Sequence, residues 1–470
     1  MMGCRPSEVI LLPFGSSLML SLAARSRVRH ARSLLSIALV IGASLAAVDR
    51  ASAQERTATF DDFDSVALGD RWLMIGGENA TAARVPVPAE VKEPGVADRM
   101  ARIEFVPGAI FAMRNEVAWP ELDAPSSIRL RLRAAEASEQ DPERIEVRVY
   151  SRQRRAWRWR RIDLTDDRWR TVELPMPLFL HSDATHVRWN EAARLAIFSR
   201  TAGTIEFDRI ELVAAGATEA DELTAEALSE LAFGPRGRVV RRDPFAIVTD
   251  CDDLQVEPIL DRLDALRLET DSLLGAPTEP DPTVPLLIFR EAAEFRTFFE
   301  RLGQALQVTV APPRTEGYTA FGIACCVRSD EFGPVRPIYV HETCHALLER
   351  RLGLSNRNEW LHEGLASHFQ SRLLAQDEDR RRAATAVVAE PAAWPELLSG
   401  KPIALDDYAE AMFLVEWLTA DEGRRAKFVE ALEAMRRDGS TTFVDGPATI
   451  TGRSTEAARA EWLDWISRQR

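Results

Sequence analysis

Three runs in the first half of the chain alternate apolar and polar residues with a period of two. They are SIRLRLRA (Ser127–Ala134), RIEVRVYS (Arg144–Ser151) and TIEFDRIELV (Thr204–Val213). Successive side chains of a strand point to opposite faces, so each run turns one face to a core and the other to water. Turn-forming breaks such as DAPSS and EQDPE separate the runs. Several antiparallel strands between Thr57 and Val213 predict a β-sandwich. The segment RRAWRWRRIDL (Arg154–Leu164) has the composition of a basic nucleic-acid patch. Trp157 and Trp159 stand two apart, however, and share one face of a strand. The expected arrangement is tryptophans packed in a core or cleft and arginines in solvent.

Three stretches carry a family resemblance: FDDF at Phe60, WRTVELPMPLF at Trp169–Phe179, and IEFDRIEL at Ile205–Leu212. With them the segment 54–215 resembles the galactose-binding-like jelly rolls. The resemblance implies an all-β jelly-roll sandwich that either carries a carbohydrate ligand or serves as a spacer.

The texture changes after residue 215. Ala217–Leu231 is acidic and alanine-rich, and 216–238 reads as a linker helix closed by GPRGR. From 239 strands and helices alternate. PFAIVTD and VPLLIFR read as strands, Val256–Leu274 and EAAEFRTFFERLGQAL as helices, and YTAFGIACC and VRPIYV as extended segments. Helices dominate beyond residue 337. Residues 239–470 therefore read as one α+β domain.

Address and charge narrow the function. Arg25, Arg27, Arg29 and Arg32 precede the apolar run Leu34–Val48, and Ala51-Ser52-Ala53 fits a cleavage site before Gln54. Residues 1–53 thus read as a signal peptide, which predicts a secreted or periplasmic protein; an uncleaved anchor is the competing reading. No later stretch is apolar enough to cross a bilayer. The net charge of -14 argues against a nucleic-acid partner. Outside the leader stand Cys251, Cys325, Cys326 and Cys344. A disulfide joining the 325/326 pair to Cys344 or Cys251 competes with four buried thiols. No CxxC pair occurs, which disfavours a cysteine-built zinc site.

Four of the seven histidines fall in PIYVHETCHALLERRLGLSNRNEWLHEGLASHFQ, from Pro337 to Gln370. His341-Glu342-Thr343-Cys344-His345 is an HExxH motif. Residues four apart on a helix lie one turn apart on one face, so the two imidazoles can share a Zn²⁺ ion. Glu342, one step round, can reach a water at the metal without ligating it. Gly353 is the expected helix stop. A third ligand is still needed. Leu348 and Arg351 stand where a metzincin continuation would require glycine and histidine. The next helix, NEWLHEGLASHFQ, buries Leu361, Leu365 and Phe369, leaving Glu363 free to face the histidines, with the small Ala366 allowing close helix approach.

HETCH followed by WLHEGLA resembles the gluzincin zinc peptidases, most of all the bacterial peptidase MA-like group. The resemblance implies a zincin-like domain in which His341, His345 and Glu363 bind Zn²⁺ and Glu342 is the general base that draws a proton from the zinc-activated water. It also implies Tyr408, on the helix DDYAEAMFLVEWL, as an oxyanion donor, with Tyr318 as a second candidate. Core packing of Tyr408 remains equally open. Glu359, one turn before Glu363, is an alternative ligand; His362 and His368 point away from the proposed ligand face. No GAMEN-like exopeptidase motif precedes the zinc helix, so the expected activity is endopeptidase cleavage of a peptide or protein substrate. The alternative is a non-enzymatic carbohydrate- or cell-wall-binding protein carrying a degenerate zincin domain.

Overall fold

The computed structural model describes residues 56–63, 67–89, 98–114, 126–138, 141–152, 155–182, 187, 189–214, 223–276, 282–331, 333–354, 358–399, 401–438 and 446–469. The signal peptide predicted at 1–53 lies outside the described residues. The chain divides into two compact units, the first built mainly on residues up to Leu223 and the second mainly on Thr224 onward.

The first unit holds strands β1 (Arg56–Asp61), β2 (Trp72–Ile75), β3 (Thr81–Pro86), β4 (Arg99–Phe105), β5 (Ile110–Met113), β6 (Ser127–Ala134), β7 (Glu143–Ser151), β8 (Ala156–Leu164), β9 (Arg170–Pro175), β10 (Leu180–His181), β11 (Arg194–Ser199) and β12 (Gly203–Ala214). They form two six-stranded antiparallel sheets. One runs β3-β4-β12-β6-β9 with β1 also paired to β12, and the other runs β10-β8-β7-β11-β5-β2. Ile103, Leu130, Leu132 and Phe207 from the first sheet join Phe111, Val147, Val149 and Ile197 from the second in one buried cluster. Each such side chain is worth ~1.5–3 kcal/mol when fully buried. In β12 the alternation slips: Ile205 and Phe207, then Ile210 and Leu212, are the residues it places in this cluster. A register shift between Phe207 and Arg209 absorbs the slip, so both halves of the strand face the core.

The structure corrects the reading of Arg154–Leu164. Arg158 and Arg160 are buried on the same face of β8 as Ala156, Ile162 and Leu164, while Trp157 and Trp159 are only half-buried on its other face. The buried guanidiniums are partnered. Arg160 donates to the carbonyl of Leu178 at 3.1 Å and Arg158 to that of Phe179 at 3.5 Å, and the Arg158 guanidinium lies 4.8 Å from the centre of the Trp189 ring. Burial pushes the Arg160 guanidinium down to about 10.

The second unit begins with helix α1 (Ala225–Phe233), capped by the Thr224 hydroxyl, which accepts from the Ala227 amide. Thus the segment expected to link the domains holds a helix with a buried apolar face, part of the second unit itself. There follow β13 (Arg238–Arg242), β14 (Phe245–Thr249), α2 (Val256–Leu274), β15 (Val284–Phe289), α3 (Ala292–Leu306), β16 (Gly317–Ala320) and β17 (Ile323–Val327). The sheet order is β13-β14-β15-β17-β16, with the three central strands parallel and a hairpin at each edge. Phe321 and Gly322 form the two-residue turn of the β16–β17 hairpin, both at positive φ (54° and 67°).

Helices complete the unit: α4 (Pro337–Arg350), α5 (Glu359–Leu373), α6 (Asp377–Ala389), α7 (Tyr408–Ala420), α8 (Glu422–Asp438) and α9 (Thr455–Ser467). VRPIYV is therefore not an extended segment. Pro337 occupies the first turn of α4, where its missing amide proton costs nothing and its fixed φ suits the helix. One large core unites α2, α4, α5 and α7 with Leu286, Ile288, Ala324 and Cys326 of the sheet. On the opposite sheet face Phe289 meets Phe233 of α1 and Phe295 and Phe298 of α3, at ring separations of 4.9, 5.7 and 5.4 Å. Cys251, Cys325, Cys326 and Cys344 are all buried free thiols, so none of the disulfides considered is present. Adjacent residues of a strand face opposite sides, which separates the Cys325 and Cys326 side chains.

Candidate metal centre

Helix α4 ends in an αL stop: Gly353 has φ 62° and donates its amide to the carbonyl of Glu349. The chain then turns into α5, which buries Leu361, Leu365 and Phe369 as expected. Close approach of α5 to α7 depends on Gly364. A Cβ at 364 would lie 2.6 Å from the carbonyl oxygen of Ala411.

This packing brings three donor atoms together. His341 Nε2 stands 3.0 Å from Glu363 Oε2, His345 Nε2 stands 3.4 Å from the same oxygen, and the two imidazole nitrogens are 3.2 Å apart. Among the described residues this is the group of three or more histidine, cysteine or acidic side chains placed to hold a metal ion. A tetrahedral ion with ligand bonds of about 2.0–2.1 Å spaces its ligand atoms ~3.3–3.4 Å apart. Two nitrogens and one carboxylate oxygen at these separations fit zinc in number, type and spacing.

The charges of the cluster are tightly coupled. Burial alone would raise the Glu363 carboxyl, yet His345 and His341 hold it well below the usual carboxylate range. Burial alone would lower His345, yet the charge of Glu363 and its hydrogen bond push the imidazole up to about 9. Glu342 is buried beside the trio. Desolvation raises its pKa, partly offset by the two histidines and by a hydrogen bond from Thr319.

Tyr408 lies at the site. Its ring stacks on His341 at 6.2 Å with an interplanar angle of 3°. Burial, the Glu363 and Glu359 charges, and its hydrogen bond to Glu363 all raise its pKa, so the phenol keeps its proton. The Tyr318 ring packs edge-on against Phe299 at 5.5 Å, and burial, then the Glu342 and Glu359 charges, push its phenol up to about 12. Glu359 is outside the ligand trio. Burial and then the Glu363 charge push its carboxyl up to about 7, opposed by the Ile403 amide. His362 is buried and stacks over His345 at 5.9 Å, while His368 meets Glu416 at 3.5 Å away from the trio. Thr319 and Gly364 were not singled out from the sequence. Each acts across a tertiary contact that no local pattern announces.

No family model matches the chain, nor does any curated protein. Solved structures similar to it include a family 11 carbohydrate-binding module from Clostridium thermocellum in complex with a beta-1,3-1,4-mixed-linked tetrasaccharide. It is 16% identical over 36% of this chain and 100% of that chain, with a TM-score of 0.28. A mutant of a family 29 carbohydrate-binding module complexed with cellulohexaose is 10% identical over 34% of this chain and 93% of that one, at 0.23. An exo-beta-agarase is 12% identical over 47% of this chain and 31% of that one, at 0.28. At these scores the likenesses carry no argument, and the sandwich rests on its own strand pairing.

Proposed function

We propose that the second unit is a zinc-dependent endopeptidase of the gluzincin type. The observation that carries this reading is the meeting of His341 Nε2, His345 Nε2 and Glu363 Oε2 within 4.8 Å of one another. His341, His345 and Glu363 would hold the ion. Zinc, when bound, would polarise a peptide carbonyl and acidify a water. Glu342 takes the proton from the attacking water and returns it to the departing amide nitrogen, the work of a buried carboxylate with a raised pKa. Tyr408, kept protonated by its surroundings, donates to the carbonyl oxygen as that oxygen gains charge. The test is Glu342→Gln. Zinc content should match the unaltered protein while cleavage of a peptide library falls ~10²–10⁴-fold. Equal cleavage by both proteins would remove Glu342 as the base.

A second reading, carbohydrate binding by the sandwich, is favoured by the outer face of its second sheet. There Trp157 is paired with Tyr150 and Trp159 with Arg148, all half-buried. The Arg148 guanidinium lies 5.1 Å from the Trp157 ring centre and 3.6 Å from that of Phe198. Flat aromatic rings beside charged donors suit the apolar faces and hydroxyls of a sugar chain. In this reading the protein is a carbohydrate- or wall-binding one and the zinc site is degenerate. Glycan-array binding by the full chain, lost in Trp157→Ala and Trp159→Ala, with no peptide cleavage under zinc, would establish it. Silence across the array would leave the sandwich as a spacer.

A further inference from the structure

Strand β16 is the edge of its sheet and antiparallel to β17. Gly317 and Thr319 share the strand face that carries Cys326 and Ala324 of β17, the face packed on α4. The Thr319 hydroxyl oxygen is 2.8 Å from the backbone carbonyl oxygen of Glu342 and 2.8 Å from Glu342 Oε2. Two residues earlier the strand is pressed onto the same helix. A Cβ at Gly317 would fall 2.4 Å from Ile338 Cγ1 and 3.0 Å from Glu342 Cγ. A bare backbone position and a hydroxyl therefore bracket one side chain, the one read above as the general base.

We propose that Thr319 is a positioning residue for Glu342. Its hydroxyl ties Oε2 to the strand, fixes the torsions of the glutamate and leaves Oε1 for the reacting water. A hydroxyl has one proton, so it donates to one of the two Glu342 oxygens at a time, and rotation about Cβ–Oγ exchanges them. Anchoring the strand to the helix needs only the carbonyl contact. The contact to the carboxylate serves orientation, which matters because a displacement of about 1 Å in a reacting group costs rate far more than it costs binding. This proposal rests on the peptidase reading.

The experiment uses the full chain loaded with zinc and compares Thr319→Val, Thr319→Ala and Thr319→Ser with the unaltered protein. Zinc affinity is measured by competition with a chromophoric chelator, and kcat and KM on the best-cleaved peptide of a casein digest. The Val and Ala variants are expected to keep zinc affinity and KM within about twofold and to lose kcat by about tenfold or more, with Ser within about threefold of the parent. Unchanged kcat in Val and Ala overturns the proposal. So does a rise in KM at constant kcat, a loss of zinc, or a Ser variant as impaired as Ala. Should Val fail to fold, the Ala–Ser comparison decides alone. A parent protein that binds zinc but cleaves nothing overturns the peptidase reading, and the role of Thr319 with it. A parent that cleaves, matched by its variants, overturns the role of Thr319 alone.

Discussion

Replacing Gly364 with alanine sets two physical effects against each other next to Glu363, the proposed third zinc ligand. In a helix interior alanine is favoured over glycine by ~1 kcal/mol. The added Cβ, however, would lie 2.6 Å from the Ala411 carbonyl oxygen, 2.9 Å from its carbon and 2.9 Å from Val415 Cγ2. Two of these atoms are backbone, so no rotamer change relieves them. Restoring ordinary contact parts α5 from α7 by ~0.8 Å, and overpacking of this kind costs ~1–3 kcal/mol. The net stability change is a loss of ~0–2 kcal/mol. The larger effect falls on the metal. Ligand distances tolerate only ~0.2 Å, and Glu363 is the adjacent residue on the moving helix. Zinc affinity should fall ~10–100-fold, as it does when the support of a ligand is disturbed. Competition with a chromophoric chelator measures the affinity, and thermal melts with and without zinc separate it from stability. An alanine variant that melts higher and binds zinc like the parent would refute the reasoning, since propensity would then have won without moving Glu363.

Zinc at a thousandfold excess over its Kd should stabilise the protein by ~4 kcal/mol. Calorimetry should show a higher melting temperature that chelator removes and His341→Ala abolishes; a shift surviving that substitution would place the metal elsewhere. Glu410 is buried, with Oε1 accepting from the Ala392 amide at 2.5 Å and Oε2 unpartnered. Burial pushes its carboxyl up to about 7, opposed by the Ala392 amide. The folded state thus binds the proton more tightly than the unfolded chain, and stability falls as pH rises from about 4.5 through about 7, then levels. Urea melts of Glu410→Gln should therefore gain on the parent between pH 5 and pH 8; a constant gap would show that Glu410 does not titrate there.

Several features were legible because they are local. The alternation in β6, β7 and β12 announces strands whatever surrounds them, and the HExxH spacing places His341 and His345 on one helical face. The proline start of α4 was legible in principle, yet the hydrophobic run after it reads equally as strand. Other features were not legible. β8 turns Ile162 and Leu164 to the core, and with them Arg158 and Arg160, which find the carbonyls of Phe179 and Leu178, partners that the bulk of Trp157 and Trp159 does not announce. That Cys251, Cys325, Cys326 and Cys344 stay free buried thiols is a matter of tertiary placement, which cysteine spacing does not carry.

The sequence alone determined the alternating strands, the paired histidines and the residue types able to ligand zinc, because these follow from the fixed 2.0 and 3.6 periods of the backbone. Only the tertiary structure decided that Glu363 meets both histidines, that Tyr408 stacks on His341 and that Thr319 reaches Glu342. Those meetings depend on how closely separate elements approach, and that distance is set by the side chains, or their absence at Gly364 and Gly317, on elements remote in the chain.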